Sequence, residues 1–276
     1  MLYCRIPAES EERMQKVTEI TSRENPAVRH YIRLRDKKKT RYEENLFVAE
    51  GLRIVTDALQ YPCLVQQIFL TESAWEKYAE DIQNAMQETG RCFRILDAVG
   101  KVMTDTEHTQ GVFAVCRMPE QKWQIDSRKK YLVLYQLQDP GNMGMILRTG
   151  DALGVDGILL AQCCDLYSPK VIRATMGSVF RVPVRELPDA PELFQLLETN
   201  QIQSYASVPS AKAVPLTACP LTGGCAVWIG NEGNGLPESV IQNCHDNLTI
   251  PMKGGAESLN AAMAAGILMW EMMKSQ

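Results

Sequence analysis

Residues 131–150 read YLVLYQLQDPGNMGMILRTG, and this stretch decides the fold class of the second half of the chain. The apolar run at 131–138 is typical of a strand buried on both faces of a parallel sheet. A short loop, Asp139-Pro140-Gly141, leads into a helix predicted from Asn142 to Gly154. Helical spacing gives this helix one buried face made of Met143, Ile146, Leu147 and Gly150. Arg148 points away from that face.

The same alternation continues to the end of the chain. Strands are predicted at 157–161, 182–185, 203–207, 225–229 and 247–250, with helices at 168–180, 191–200 and 258–274 and a short one after Pro237. The last helix, LNAAMAAGILMWEMM, is apolar around nearly its whole circumference, so we expect it to be buried. This order predicts a parallel α/β domain, in which ligands bind beyond the carboxyl ends of the strands.

The first half also alternates between short strands and helices, which indicates a second, smaller α/β domain. A polar segment, MPEQKWQIDSRKK at 118–130, interrupts the pattern. We therefore predict one domain at 18–118, a linker at 119–130 and a second domain at 131–276. Trp123 is expected to anchor the linker against one of the two.

Composition excludes several classes of protein. The chain has 276 residues, 45% hydrophobic and 22% charged, which is ordinary for a folded globular protein. No apolar run approaches the roughly 20 residues of a membrane helix, and the first ten residues lack a secretion signal, so a cytoplasmic location is expected. Nine cysteines without a Cys-x-x-Cys pair, and three histidines far apart, predict no metal site.

Positive charge is concentrated in one segment although the net charge is −4. Between residues 29 and 41, seven basic side chains stand against Asp36 alone: Arg29, Arg33, Arg35, Lys37, Lys38, Lys39 and Arg41. One interpretation is a solvated, partly disordered charged segment. The other is an arm that binds the phosphates of a nucleic acid.

Two further loops follow predicted strand ends. The first, IGNEGNGLP at 229–237, has the glycine order G-x-x-G-x-G, which is neither the dinucleotide fingerprint nor a P-loop. Its glycines indicate a closely approaching ligand or backbone, or simply a tight turn, and Glu232 is its only acid. The second, IPMKGGAESLNAAM at 250–263, has a pliant Gly254-Gly255 pair. Ser258 is predicted to cap the last helix, and Asn260 needs a polar partner.

Together these segments resemble the signature motifs of the SpoU/TrmH-type RNA 2′-O-ribose methyltransferases of the SPOUT superfamily. The resemblance rests on DPGNMGMILRTGDALGVDG, DLYSPKVIRATMGSVFRVPV, IGNEGNGLP and IPMKGGAESLNAAMAAGIL. The first half is similar, more loosely, to the ribosomal-protein-like substrate-binding domain of many members, through ITSRENPAVRHYIRL, LFVAEGLRIVTDAL and TDTEHTQGVFAV. This likeness favours the phosphate-binding interpretation of the basic segment.

The resemblance implies a trefoil-knotted α/β methyltransferase domain, a homodimer and S-adenosylmethionine as cofactor. It implies that the cofactor contacts Gly230, Asn231, Gly235, Ile250, Met252 and Leu259. It also assigns the polar active-site positions to Asn142, Arg148, Glu232, Ser258 and Asn260.

Arg148 is the residue that the resemblance places at the ribose hydroxyl. Because an arginine stays protonated in proteins, action as a literal base is chemically demanding. We therefore expect Arg148 to bind the hydroxyl oxygen and the neighbouring phosphate, with proton loss assisted by phosphate or water. Asn142 would orient Arg148 or the ribose, and Ser258 and Asn260 would fix the loop at 250–263.

Other functions stay open at this point. The chain could be a non-catalytic RNA-binding assembly factor of the same fold, a base methyltransferase of the same superfamily, or a nucleotide-dependent oxidoreductase. The intact polar set and the glycine order favour ribose methylation. Ribosomal RNA is the expected substrate because of the first domain, with transfer RNA as the alternative.

Overall fold

The computed structural model describes residues 17–61, 64–85, 91–119 and 123–274. They divide into two compact units, and the division differs from the sequence prediction at one segment. The smaller unit contains the described residues up to Arg33 and those from Glu50 to Arg117. The larger unit contains Leu34–Ala49 together with the described residues from Met118 onward. Residues 34–49, predicted to belong to the first domain, therefore pack with the second half of the chain.

The chain up to Arg117 forms five strands and five helices within the described residues. In chain order these are β1 (Thr18–Ile20), α1 (Pro26–Asp36), α2 (Lys38–Glu44), β2 (Leu46–Glu50), α3 (Leu52–Leu59), β3 (Val65–Thr71), α4 (Glu72–Ala85), β4 (Arg91–Ile95), α5 (Asp97–Met103) and β5 (Val112–Arg117). The strands form one mixed sheet in the order β1-β4-β3-β5-β2, with β3 parallel to β4 and antiparallel to β5. In the smaller unit, Tyr31 of α1 packs edge-on against Phe69 and Phe113.

The larger unit contains a seven-stranded sheet that follows the predicted alternation. Its remaining elements are β6 (Lys130–Tyr135), α6 (Pro140–Leu153), β7 (Gly157–Ala161), α7 (Pro169–Thr175), β8 (Val184–Leu187), α8 (Ala190–Thr199), β9 (Gln203–Ser207), β10 (Val214–Pro215), β11 (Cys225–Ile229), α9 (Glu238–Asn243), β12 (Asp246–Thr249) and α10 (Ala261–Met273). The order is β10-β12-β9-β11-β6-β7-β8, and all the described pairs are parallel. The predicted parallel α/β domain is confirmed.

Apolar residues of β6 and β11 form the centre of the larger unit. Tyr131, Val133 and Trp228 are buried in one cluster, and Trp228 stacks on Phe194 of α8 at a ring-centroid distance of 4.4 Å. Trp123, from the predicted linker, stacks on Tyr131 and donates a hydrogen bond to the carbonyl of Val184. This part of the predicted linker is therefore integrated into the larger unit; residues 120–122 lie outside the described part.

Helix α6 begins earlier than predicted because Asp139 caps it. The Asp139 carboxylate accepts a hydrogen bond from the Asn142 N–H at 2.8 Å, and Pro140 occupies the first helical turn, where no N–H is needed. All four residues of the predicted apolar face are buried, and Arg148 is exposed. A Cβ at Gly144 would stand 2.2 Å from the Cβ of Ala174, so the glycine allows α6 and α7 to pack closely.

Two helices of the larger unit differ from the prediction. The helix predicted at 168–180 ends at Thr175, since Met176 and Gly177 adopt left-handed backbone angles, and a 3-10 turn follows at Ser178–Phe180. The last helix is capped by Asn260 rather than Ser258. Its predicted burial is wrong for a single chain: the exposed fractions of Met263 and Trp270 are 57% and 62%.

Among the described helices, none has the length and apolarity needed to cross a membrane.

Helix α2 is held to the larger unit by buried polar contacts. The side chains of Arg41 and Asp165 form an ion pair and are only 5% and 10% exposed. The Arg41 guanidinium also donates to the carbonyls of Leu34 and Arg35. The structure thus places Arg41, predicted to bind RNA, inside the protein, where its charge is already compensated.

Removal of one partner from this buried pair should destabilise the larger unit. We expect Asp165→Ala to lower the free energy of unfolding by about 3–5 kcal/mol, because it leaves the Arg41 charge buried without its carboxylate. Glu43→Ala is the matched control: Glu43 pairs with Lys39 on the exposed side of the same helix, and its loss should cost less than about 0.5 kcal/mol. Urea denaturation measures both, and equal losses would contradict the structural role of Arg41.

Candidate active site

Three loops follow the carboxyl ends of strands in the larger unit. Loop A is Gln136–Asp139 after β6, loop B is Gly230–Pro237 after β11, and loop C is Ile250–Asn260 after β12. Because β6 and β11 are adjacent and parallel, with Leu134 opposite Ile229, loops A and B emerge side by side. The predicted cofactor-binding and catalytic residues lie in loops B and C and in helix α6.

Glu232 of loop B joins loop B to loop A. Its carboxylate accepts hydrogen bonds from the N–H groups of Gln138 at 3.1 Å and Asp139 at 2.8 Å, and from the Asn142 side chain at 3.1 Å. Burial raises the pKa of Glu232, but the hydrogen bonds outweigh burial and the pKa is lowered. Glu232 is therefore held as a carboxylate and serves as an acceptor that fixes the two loops.

Asn142 extends this network to loop C. While its amide nitrogen donates to Glu232, its amide oxygen accepts a hydrogen bond of 3.0 Å from the side chain of Asn260. The Asn260 oxygen in turn accepts from the N–H groups of Ala262 and Met263 and caps α10. The chain Glu232–Asn142–Asn260 thus brings together three of the five polar residues that the sequence singled out.

Loop B is a tight hairpin whose shape depends on its glycines. Asn231 and Gly235 exchange two backbone hydrogen bonds of 3.0 and 2.9 Å. A Cβ at Gly230 would stand 2.2 Å from the carbonyl carbon of Gly235, so only glycine fits there. Gly235 has a φ of +66°, in the left-handed region. The Asn231 side chain donates to the carbonyl of Gln136 at 3.0 Å and ties the hairpin to loop A.

Loop C is the open part of the site. Ile250 is partly buried, and every residue from Pro251 to Asn260 is exposed. The apolar side chains of Met252 and Leu259 are each 37% exposed. Among the described residues, no backbone N–H from Met252 to Leu259 donates a hydrogen bond within the chain. Loop C therefore offers apolar surface and unused backbone donors side by side.

The structure does not connect the remaining two predicted catalytic residues to this network. Arg148 is exposed on α6, and its side chain makes no hydrogen bond or ion pair with the described residues. Ser258 is exposed in loop C and likewise has no polar contact with the described residues. Both side chains are free to meet a ligand.

Among the described residues there is no cluster of histidine, cysteine and acidic side chains able to hold a metal ion.

A group of glutamines at the same edge was not anticipated from the sequence. Gln136 and Gln162 follow the neighbouring strands β6 and β7, and both have left-handed backbone angles, with φ of +58° and +56°. The Gln136 side chain donates to that of Gln162 at 2.8 Å, and the Gln138 side chain donates to the Gln162 carbonyl at 3.0 Å. This group fixes loop A from the side opposite Glu232. Glutamines have no strong positional signal, whereas Asp139 before proline carried a capping signal that could have been read.

Comparison with known proteins agrees with this arrangement. Residues 129–270 match the SpoU rRNA Methylase family, and residues 25–114 match the MRM3-like substrate binding domain. The chain is 32% identical to the 23S rRNA (guanosine(2553)-2′-O)-methyltransferase RlmP of Bacillus subtilis, over 92% of this chain and 98% of that protein. It is 28% identical to the 23S rRNA (uridine(2479)-2′-O)-methyltransferase of Streptomyces viridochromogenes, over 96% and 95% of the two chains.

Solved structures show the same fold. The crystal structure of an AdoMet-bound rRNA methyltransferase from Sinorhizobium meliloti superposes with a TM-score of 0.83 at 29% identity, over 94% of this chain and 98% of that chain. The family match covers about half of the chain and contains all three loops, and the relatives match over nearly their full lengths. The resemblance seen in the sequence motifs is thus confirmed, and the chain belongs to the SpoU rRNA methylase family.

Proposed function

We propose that this protein transfers a methyl group from S-adenosylmethionine to a ribose 2′-hydroxyl in ribosomal RNA. The observation that carries the proposal is the chain Glu232–Asn142–Asn260, which joins three strand-end loops into one polar site. The relatives support the chemistry, since RlmP and the Streptomyces enzyme are named for 2′-O-methylation of 23S rRNA. A non-catalytic binding protein would have no need of this polar set beside an exposed arginine.

The residues of loops B and C fit S-adenosylmethionine. The exposed side chains of Met252 and Leu259 provide apolar surface of the kind that an adenine ring packs against. The unused N–H groups of loop C provide backbone donors for recognition. The hairpin of Gly230, Asn231 and Gly235 allows a ligand to approach its backbone closely, because its glycines carry no side chain. When bound, the cofactor supplies an activated methyl group on a sulfonium that is a good leaving group.

Methyl transfer breaks the carbon–sulfur bond, forms a carbon–oxygen bond and releases the hydroxyl proton. Alignment of the reacting atoms supplies much of the acceleration in such a displacement. Arg148 is exposed and uncommitted within the described residues, so it can bind the ribose oxygen and the neighbouring phosphate. The proton then leaves to phosphate or water. Asn142 and Glu232 keep loop A in place, and Asn260 and Ser258 position loop C.

The role of Arg148 can be tested by single-turnover kinetics. Arg148→Ala should lower the methylation rate constant by about 10²–10³-fold, because a group aligned on the reacting oxygen is lost, while cofactor affinity measured by calorimetry stays within about twofold. Arg148→Lys should recover only part of the rate, since an ammonium lacks the planar fork of a guanidinium. Arg128→Ala, an exposed arginine before β6, is the control and should react as the wild type does. Near-wild-type rates for Arg148→Ala would remove this residue from the mechanism.

We further propose that the protein is a knotted homodimer that acts in the cytoplasm. Support for the dimer comes from α10, whose buried face packs within the chain while Met263, Ile267 and Trp270 form an exposed apolar stripe at helical spacing. Such stripes mark protein–protein contacts. A second copy of the chain would cover this one. The match to the SpoU rRNA Methylase family supports the proposed knot, and the bacterial rRNA methyltransferases among the relatives support the proposed cytoplasmic location.

A charge placed on the apolar stripe of α10 should weaken the dimer. Trp270→Glu should raise the dimer dissociation constant by at least about 100-fold, because it places a charge in the centre of an apolar interface. Gln195→Glu adds the same charge to an exposed position of α8 and should leave the association unchanged. Sedimentation equilibrium distinguishes the outcomes. A Trp270→Glu protein as dimeric as the wild type would exclude α10 as the interface.

The substrate is proposed to be large-subunit ribosomal RNA. The MRM3-like substrate binding domain match supports a role for the smaller unit in RNA binding. Within the basic segment, Arg29 and Arg33 are exposed, as are all three lysines, while Arg35 is partly buried and pairs with Asp36. We assign RNA binding to these six residues and leave out the buried Arg41.

Mapping of ribose methylation tests the choice of substrate. In a strain that lacks the gene, one 2′-O-methyl position should be lost from ribosomal RNA, and the wild-type gene should restore it while the Arg148→Ala gene should not. The Arg128→Ala gene is the control and should restore it fully. Loss of a methyl group from transfer RNA instead would contradict the assignment.

A further inference from the structure

Helix α2 lies at the same edge of the sheet as the active-site loops. The hydroxyl of Tyr42 donates to the carboxylate of Glu186, at 3.1 and 3.2 Å, near the carboxyl end of β8. Arg41 pairs with Asp165, which follows the carboxyl end of β7. Tyr42 also packs edge-on against Tyr167. Two consecutive side chains of α2 are therefore attached to two neighbouring strand ends.

A short path of bonds leads from this attachment to Glu232. Asp165 is preceded by Cys164, whose N–H donates to the carbonyl of Leu137 in loop A at 2.7 Å. The next residue, Gln138, donates its N–H to Glu232 at 3.1 Å. The pKa of the Cys164 thiol is raised to about 11, first by burial and then by the carboxylates of Glu232, Asp165 and Asp139, whereas Lys38 opposes the rise. Lys38 and Glu232 thus act on the same small region.

Three lysines stand at the start of this helix: Lys37 is its N-cap residue, and Lys38 and Lys39 lie in its first turn. Lys37, Lys38 and Lys39 are all exposed. The ammonium of Lys38 stands 5.3 Å from the centre of the Tyr42 ring, a cation–π contact that fixes the side chain above an anchored residue. Lys39 pairs with Glu43 on the exposed side. Lys37 and Lys38 place two positive charges at the N-terminal end of α2.

An RNA strand that enters this site meets negative charge. Asp139 and Glu232 lie in loops A and B, and Glu186 lies behind Tyr42. Because Arg41 compensates Asp165 inside the protein, it does not offset these other carboxylates. Phosphate approaching an edge with this charge needs basic groups that are close and held in position.

We propose that α2 is a fixed part of the methyl-acceptor site, in which Lys37 and Lys38 bind the RNA phosphate beside the target ribose while Arg41 and Tyr42 anchor the helix to the sheet. This inference rests on the proposed function and refines it. In the basic segment, Arg41 therefore anchors the helix, whereas Lys37 and Lys38 bind the RNA. These lysines lie in the larger unit, which also contains the active-site loops. They position the substrate for the reaction as well as adding to its affinity.

The test compares two double substitutions that remove the same charge. Lys37→Ala/Lys38→Ala should raise KM for ribosomal RNA from a gene-deletion strain by about tenfold or more. It should also make the dependence of binding on log salt shallower by about one unit, as expected for one or two lost phosphate contacts. The single-turnover rate at saturating RNA should also fall at least about fivefold, with unchanged cofactor affinity. Arg128→Ala/Lys129→Ala changes two residues just before the amino end of β6, away from the active-site loops at the carboxyl ends. This variant should stay within twofold of the wild type in KM, in salt dependence and in single-turnover rate.

A charge-retaining variant separates positioning from structure. Lys37→Arg/Lys38→Arg should recover most of the activity, since an arginine also binds phosphate. If the alanine variant behaves as the Arg128→Ala/Lys129→Ala control does, α2 has no place in the acceptor site, although the proposed function stands. If the wild type binds the cofactor but methylates no ribosomal RNA, the proposed function itself fails.

Discussion

The site depends on one carboxylate, that of Glu232, which three hydrogen bonds hold in place. It accepts two backbone N–H groups of loop A and one side-chain amide from α6, so that two loops which leave different strands take one fixed arrangement. A charged acceptor is suited to this task because its hydrogen bonds are stronger than those between neutral groups. Asn142 passes the constraint on to Asn260 and thereby to the start of α10. Asn260 holds the end of loop C through this chain and through its cap of α10, whereas the backbone N–H groups from Met252 to Leu259 make no hydrogen bond with the described residues.

This arrangement suits a reaction that depends on alignment. Methyl transfer from a sulfonium needs the donor, the methyl carbon and the ribose oxygen in line more than it needs a strong base. A rigid part made of loops A and B beside a pliant loop C gives a fixed reference and an adaptable cofactor surface. In the mechanism that we propose, the exposed Arg148 of α6 and the lysines at the start of α2 supply positive charge for the RNA.

Much of this could be predicted from the sequence, because the periodic apolar strands and the helix face of α6 are strong local signals. The strand at 203–207 and the strand at 225–229 were predicted at their observed bounds, and the polar set Asn142, Glu232 and Asn260 came together as expected. What failed was set by tertiary contacts. Arg41 sits in a run of basic residues, and nothing in that run signals a buried partner 124 residues away. The break in the helix after Thr175 and the exposed stripe on α10 likewise depend on backbone turns and packing that no periodicity shows.

The central claim is that the three joined loops transfer methyl to a ribose oxygen. The most direct measurement is the fate of labelled methyl after the full-length protein reacts with labelled S-adenosylmethionine and ribosomal RNA from a deletion strain. A 2′-O-methyl group blocks alkaline cleavage of the adjoining phosphodiester. The label should therefore appear in an alkali-stable dinucleotide. Label recovered on a nucleobase, in the mononucleotides that alkali releases, would contradict this account.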